Sequence, residues 1–239
     1  LKDPAQTAYG SADDPWWHIY EINPDGTGLR QLTFGPYHHV QPAYLPDGRI
    51  VCSTTRIGTR DEYHGFPCLG LAVMNADGSD LHCIGFNVGG DREPAVLNDG
   101  RIVFTRLDLF YSRLKTEQTV QAAFPDGTHN VTLYGPERRD FWYEKSRNSG
   151  ISGWSESPPR HRVLRLTQPQ PFGNDRVICS SPEGFVIVGP GPDQEQLVPH
   201  DRSIAPTCPF PLPDGRILCS ATRKAFAVDG KVVAVGSEE

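Results

Sequence analysis

Methionine is nearly missing from this chain, with one residue in 239, Met74. Long apolar runs are missing too. No stretch approaches the roughly 18 consecutive apolar residues of a membrane-crossing helix, so no membrane span is expected. Positive charge is not in excess. The 23 Lys and Arg against 29 Asp and Glu leave a net charge of −6, which gives no electrostatic reason to expect a nucleic-acid partner. The six cysteines (Cys52, Cys68, Cys83, Cys179, Cys208 and Cys219) form no CxxC pair and no CxxCH. That excludes a zinc ribbon, a thioredoxin motif and a covalent haem site within these residues. GxSxG, the P-loop and a strand-borne GxGxxG are absent as well. The segment LKDPAQTAYGSADDPWW lacks the charged-then-apolar pattern of a signal peptide. It begins with Leu, as a processed or excised domain would.

What the chain has in quantity is turn chemistry, with 24 Gly and 22 Pro. The turns are periodic. Asp25 and Asp47 stand 47 − 25 = 22 residues apart, and Asp77 and Asp99 stand 99 − 77 = 22 apart. Both members of the pair have moved on by the same step, 77 − 25 = 52 and 99 − 47 = 52. Constant spacing of this kind marks an internal repeat.

Each unit reads as four short strands. In the first full unit PAYL enters the turn Pro46-Asp47-Gly48 and RIVCSTTR leaves it; GLAVMNA enters Asp77-Gly78 and LHCIGF leaves it. Asp-Gly between β-rich runs is a strong hairpin signal, because glycine accepts positive φ and aspartate caps the turn with its own side chain. A second unit turns at Asp99-Gly100 and Asp126-Gly127. A degenerate third runs from RVLRLTQ through Gly173-Asn174-Asp175 and Pro192-Asp193, and a fourth turns at Asp214-Gly215 and Asp229-Gly230. A half unit, WHIYEI to LRQLT around Asp25-Gly26, precedes them.

Four-stranded antiparallel units of this length are what β-propeller blades look like, so the expected fold is an all-β propeller. A β-sandwich is the runner-up, but it does not account for the constant offset between paired turns. The expected organisation is an N-terminal extension over residues 1–16, a half blade at 17–34, blades at about 41–86, 93–134, 161–198 and 206–235, and an inserted loop at 135–160. Ring closure could involve further blades. In such blades both Asp-Gly families lie on one rim. The irregular segments Gly35–Gln41, Ile57–Leu69, Asn87–Glu93, Asp108–Glu117, Gly135–Arg160 and Pro199–Ala205 lie on the other, where binding is expected. Cys52, Cys179 and Cys219 share one repeat position (RIVCS, RVICS, RILCS) and are expected to fill the core. For Cys68, Cys83 and Cys208 spacing leaves disulfides open.

The stretches IYEINPDGTGLRQLT, PAYLPDGRIVCSTTR and LAVMNADGSDL resemble the PD40 repeat of TolB-like β-propellers. Their phrasing is closer still to the propeller in the middle of hydrazine synthase alpha-subunit-like proteins. The resemblance covers most of the chain and carries no catalytic residue. It implies a propeller module of a larger, exported, periplasmic bacterial protein. In that family the redox chemistry belongs to haems bound by CxxCH motifs in neighbouring domains, so hydrazine synthesis does not carry over to these residues.

Two groups of residues are candidates for a site. The inserted loop GPERRDFWYEKSRNSGISGWSESPPR holds Phe141, Trp142, Tyr143 and Trp154 beside Arg138 and Arg139. Aromatics with arginine anchor protein interfaces, and aromatic platforms also stack on sugars, so a protein domain or subunit is the expected partner and carbohydrate a second. The bland alternative is a loop packed over its own blade. The other group rings the expected channel mouth just before the innermost strands: His38 and His39; Asp91, Arg92 and Glu93; and His200, Asp201 and Arg202. No cofactor is expected in this segment. A divalent metal is the exception to weigh, through His38, His39, Asp91, Glu93 and His200, against a solvated polar rim. Arg56, Arg106 and Arg223 recur at the end of the second strand and are expected to make structural contacts between blades. NPDGTG, which partly mimics a calcium loop, reads as a hairpin, because position 12 is Phe34 and not Glu.

The leading expectation is a non-catalytic propeller scaffold. Its competitors are a metal-assisted lyase or hydrolase at the channel mouth and the propeller part of a haem-dependent oxidoreductase.

Overall fold

A computed structural model describes residues 16–60, 65–87, 89–110, 115–135, 166–181, 184–189, 195–199, 207–221, 226–228 and 232–236. Among these residues eighteen strands form one two-stranded and four four-stranded sheets. The half blade is β1 (Tyr20–Glu21) with β2 (Arg30–Gln31). Blade 1 is β3 (His39–Tyr44), β4 (Ile50–Thr54), β5 (Gly70–Met74) and β6 (His82–Cys83). Blade 2 is β7 (Asp91–Val96), β8 (Ile102–Phe110), β9 (Lys115–Ala123) and β10 (Val131–Tyr134). Blade 3 is β11 (Thr167–Phe172), β12 (Arg176–Ser181), β13 (Gly184–Val188) and β14 (Glu195–Pro199). Blade 4 is β15 (Thr207–Pro211), β16 (Ile217–Ala221), β17 (Phe226–Val228) and β18 (Val232–Gly236).

The first three blades are antiparallel in chain order. Their first strands form the hub, β3 lying against β7, β7 against β11 and β11 against β15. Apolar clusters fill the joints between sheets. Ile50, Cys52, Ala72 and Met74 of blade 1 pack on Ile19 and Leu32 of the half blade. Val51 and Val73 pack on Ile102 and Phe104 of blade 2. Val103, Val120 and Tyr134 pack on Val177, Cys179 and Val186 of blade 3. Ile178 and Phe185 pack on Ile217 and Cys219 of blade 4. Because alternate residues of each middle strand enter opposite joints, both faces are buried, and the sequence alternation of a one-sided sheet disappears.

Cys52, Cys179 and Cys219 take part in these clusters as expected. Burial pushes the Cys52 thiol up to about 12, with a smaller push from Cys83, and burial raises that of Cys179 as well. The six cysteines form no disulfide.

The turns form as their sequences require. Gly48 N–H donates to the Leu45 carbonyl and Gly78 N–H to the Asn75 carbonyl. Gly26, Gly48, Gly78, Gly100, Gly127 and Gly215 all have φ between 83° and 86°, so each accepts the positive φ that a side chain resists. NPDGTG is one of these hairpins, closed by Asn23 N–H on the Thr27 carbonyl. First-hairpin aspartates receive an arginine two residues on: Arg49 Nε on Asp47 at 2.8 Å, Arg101 on Asp99 at 2.7 Å and Arg216 on Asp214 at 2.6 Å. Second-hairpin aspartates receive a hydroxyl instead: Thr27 on Asp25, Ser79 on Asp77 and Thr128 on Asp126. In the antiparallel order β3-β4-β5-β6 both turns of a blade emerge at one end, so the two Asp-Gly families share a rim.

Some expectations need correction. The innermost strands start earlier than expected, at His39 and Asp91, because each carries a β-bulge that lets pairing resume upstream. Val40 pairs with Ser53 and Ala43 with Val51, so two residues on β3 oppose one on β4. The expected loop Asp108–Glu117 is largely strand, since β8 and β9 pair from Ile102↔Ala123 out to Phe110↔Lys115. In blade 3 the described first strand is Thr167–Phe172, and residues 162–165 of RVLRLTQ lie outside the described residues. In blade 4 the order is β15-β16-β18-β17, with β18 parallel to β16. The five-residue β18 offers β16 a full ladder, whereas β17 has three residues.

Candidate functional site

The bulges build an inter-blade hydrogen-bond belt that sequence reading missed. Gln41, Glu93, Gln168 and Cys208 occupy one repeat position, each with φ between 53° and 57°. A left-handed φ costs a non-glycine residue about 1–2 kcal/mol, so something must offset it four times. Each is followed by proline, which lacks the N–H that a bulge leaves unpaired. Three side chains then reach across the joint to the next blade. Gln41 Oε1 accepts the Glu93 N–H at 3.0 Å, Glu93 Oε2 accepts the Gln168 N–H at 2.6 Å, and Gln168 Oε1 accepts the Cys208 N–H at 2.7 Å. Within blades 2 and 3 the second strand adds a hydroxyl, Thr105 to Glu93 and Ser180 to Gln168. The available signal was the recurring Gln/Glu/Cys-Pro dipeptide that opens each hub strand.

Two residues before the bulge lies a second repeated position, and it faces the joints rather than the channel mouth. It holds His39, Asp91 and Leu166, with 1%, 1% and 0% of their surface exposed. Asp91 receives both Nε and Nη2 of Arg106, at 2.8 and 3.0 Å, from the paired position on β8. This Arg106 contact lies inside one blade, where the expectation was a contact between blades. Burial nevertheless raises the Asp91 carboxyl, with Arg106 and Asn87 pulling the other way. Room for the pair comes from Gly85, where a Cβ would stand 3.3 Å from Asp91 Oδ2.

One joint earlier the same space is filled differently. His18 and Thr33 stand one 52-residue step before Gly70 and Gly85, and Thr54 stands one step before Arg106. His39 stacks on His18 at 5.8 Å between ring centroids, 27° apart in plane. His38 is half-buried, edge-on to Trp16, and its Nδ1 accepts the Trp17 N–H at 3.3 Å.

His38 and His39 therefore sit in one joint, Asp91 in the next, and Glu93 in the belt, while Arg92 is exposed. Among the described residues no three His, Cys, Asp or Glu side chains form a metal-sized group. His200, Asp201, Arg202, Arg223 and the inserted-loop residues Arg138, Arg139, Phe141, Trp142, Tyr143 and Trp154 lie outside the described residues. What the irregular rim does present is large apolar surface: Phe34, Phe66 and Phe86 are 63%, 66% and 67% exposed. Phe34 and Phe86 are one 52-residue repeat step apart.

These features define an array of β-propeller blades, locked at the hub and decorated on one rim. Solved structures share the fold. Kuenenia stuttgartiensis hydrazine synthase matches with a TM-score of 0.66 and 18% identity, over 85% of this chain and 32% of that one. TolB from Acinetobacter baumannii matches with a TM-score of 0.56 and 10% identity, over 89% of this chain and 44% of that one. The chain thus spans less than half the length of either. No family model matches it, and no curated protein matches it. Among the described residues no helix is long and apolar enough to cross a membrane.

Proposed function

We propose that this chain is a non-catalytic propeller scaffold within a larger, exported bacterial protein, and that its irregular rim docks a protein domain or subunit. One observation carries the reading: Phe34 and Phe86 present a phenyl ring at the same position of successive units, both mostly exposed. An exposed large apolar side chain repeated at one position of successive units supports an interaction surface there. The chemistry-bearing hub residues, by contrast, are engaged in holding blades together. The test is a double variant, Phe34→Ser with Phe86→Ser, in the full-length protein. Loss of co-purifying or cross-linked partner domains with an unchanged melting temperature supports docking. Unchanged cross-linking overturns it.

The likeness to hydrazine synthase favours a second reading, a propeller that belongs to a haem-dependent oxidoreductase. No CxxCH occurs in these 239 residues, so they do not hold a haem of that kind, and no redox step is assigned to them. CxxCH motifs elsewhere in the full-length gene support this reading, and a gene without them removes it.

A further inference from the structure

The joint between the half blade and blade 1 closes over two histidines. His18 is 3% exposed and His39 is 1% exposed. His18 comes from the half blade and His39 from the hub strand β3, and the rings stack. Neither ring nitrogen of His39 makes a well-aligned hydrogen bond, and the Phe34 backbone beside the ring gives its protonated form only a minor pull. Thr33 Oγ1 accepts the Ile19 N–H at 2.9 Å, so its own proton is available to His18 Nδ1, 3.3 Å away. Thr33 Oγ1 keeps a second lone pair, so His18 Nδ1 can serve as acceptor or as donor in this contact. The same position in the next joint is an ion pair, Asp91 with Arg106, and in blade 3 it is the apolar Leu166. Only the first of these three joints depends on imidazoles.

We propose that the His18–His39 pair is an acid-operated latch, holding the half blade on blade 1 while both rings are neutral and releasing it when they take up protons. The charged groups facing His39 are His18 from the half blade, His38 from the approach to its own strand, and Arg56 from the 3₁₀ turn Thr55–Ile57. Among the described residues none of them is an acid. A second proton in this joint therefore meets the like charge of Arg56 and of the neighbouring imidazole in a desolvated space. Burial, then His18 and Arg56, hold His39 down to about 4, from an ordinary value of 6.5. The sign follows from linkage. A depressed histidine binds protons more readily once exposed, so its contribution to closure is intact above about pH 6.5 and is lost as pH falls towards 4. Release would uncover the apolar face formed by Ile50, Cys52, Ala72 and Met74. This inference stands apart from partner docking on the irregular rim.

The test is amide hydrogen exchange on the whole chain at pH 7 and pH 5, corrected for intrinsic rates. Residues 16–34 should open about thirtyfold more often at pH 5, roughly tenfold for each pH unit below 6.5, with residues 91–123 unchanged. His39→Leu, which installs the residue used in blade 3, should abolish that pH dependence. Equal acid sensitivity in both segments, an insensitive 16–34 segment, or pH dependence surviving in His39→Leu each overturns the latch. Should that variant fail to fold, imidazole titration by NMR decides. A His39 ring neutral down to about pH 4 sustains the proposal, and one titrating near 6.5 overturns it.

Discussion

The carboxylate of Glu93 accepts the backbone N–H of Gln168 at 2.6 Å, across 75 residues of chain and one blade boundary. The equivalent residue one blade earlier is a glutamine doing the same for Glu93 itself. The contact therefore uses an oxygen common to both side chains and does not require charge. Glu93→Gln is expected to leave stability within about 0.5 kcal/mol, as a substitution that keeps the partner geometry does. Glu93→Ala strands the Gln168 N–H and should cost about 1–3 kcal/mol. Urea unfolding of the two variants side by side checks this.

Glycines that look alike in sequence do different work. A Cβ on Gly48 would meet nothing within 4 Å, whereas one on Gly78 would run into the Leu32 carbonyl of the half blade. Both have φ of +86°. Gly48→Ala should therefore cost only the left-handed backbone, about 1–2 kcal/mol. Gly78→Ala should cost a further 1–3 kcal/mol or so through overpacking at the joint. Gly127, against the Ile84 carbonyl, should behave like Gly78. Thermal melts of the three variants give the order.

Removing one partner of the buried Asp91–Arg106 pair should be destabilising. Asp91→Ala takes from Arg106, whose side chain is 21% exposed, its two bonds to the buried carboxylate and should cost about 1.5–3 kcal/mol. Replacing Asp91 by Leu, as at Leu166, together with Arg106→Leu should recover most of that loss, since the equivalent joint in blade 3 is apolar. A double-mutant cycle measured by denaturant unfolding separates the two outcomes.

Thiol chemistry should be selective. Cys208 is exposed at its bulge, while Cys52 and Cys179 are 0% exposed with raised thiols. In native protein at pH 8, a maleimide should modify Cys208 and leave Cys52 and Cys179 untouched until denaturant is added. Mass spectrometry of the labelled peptides reads this directly.

Much of the fold was legible before any coordinates. An Asp-Gly turn is a local event, decided by glycine's tolerance of positive φ and by the reach of an aspartate two residues along. Its recurrence in pairs, with both members first moving on by 52 residues, announced sheets stacked as blades. Cys52 and Cys179 were readable as core for a similar reason, since a shared repeat position implies a shared environment. Blade 4 departed from the pattern because strand pairing depends on which ladder is longer, and spacing does not report that.

The turns, the strand order of the first three blades and the common rim could be read from residue order, because each follows from backbone preferences within a few neighbouring residues. The tertiary structure alone decided what the hub residues do. His39, Asp91 and Leu166 share a position yet close their joints by stacking, by an ion pair and by apolar contact, according to what the adjoining sheet brings within reach. The Gln41–Glu93–Gln168 belt likewise exists only once blades stand side by side. A hydrogen bond between residues 52 or 75 apart depends on packing, and packing depends on all the joints at once.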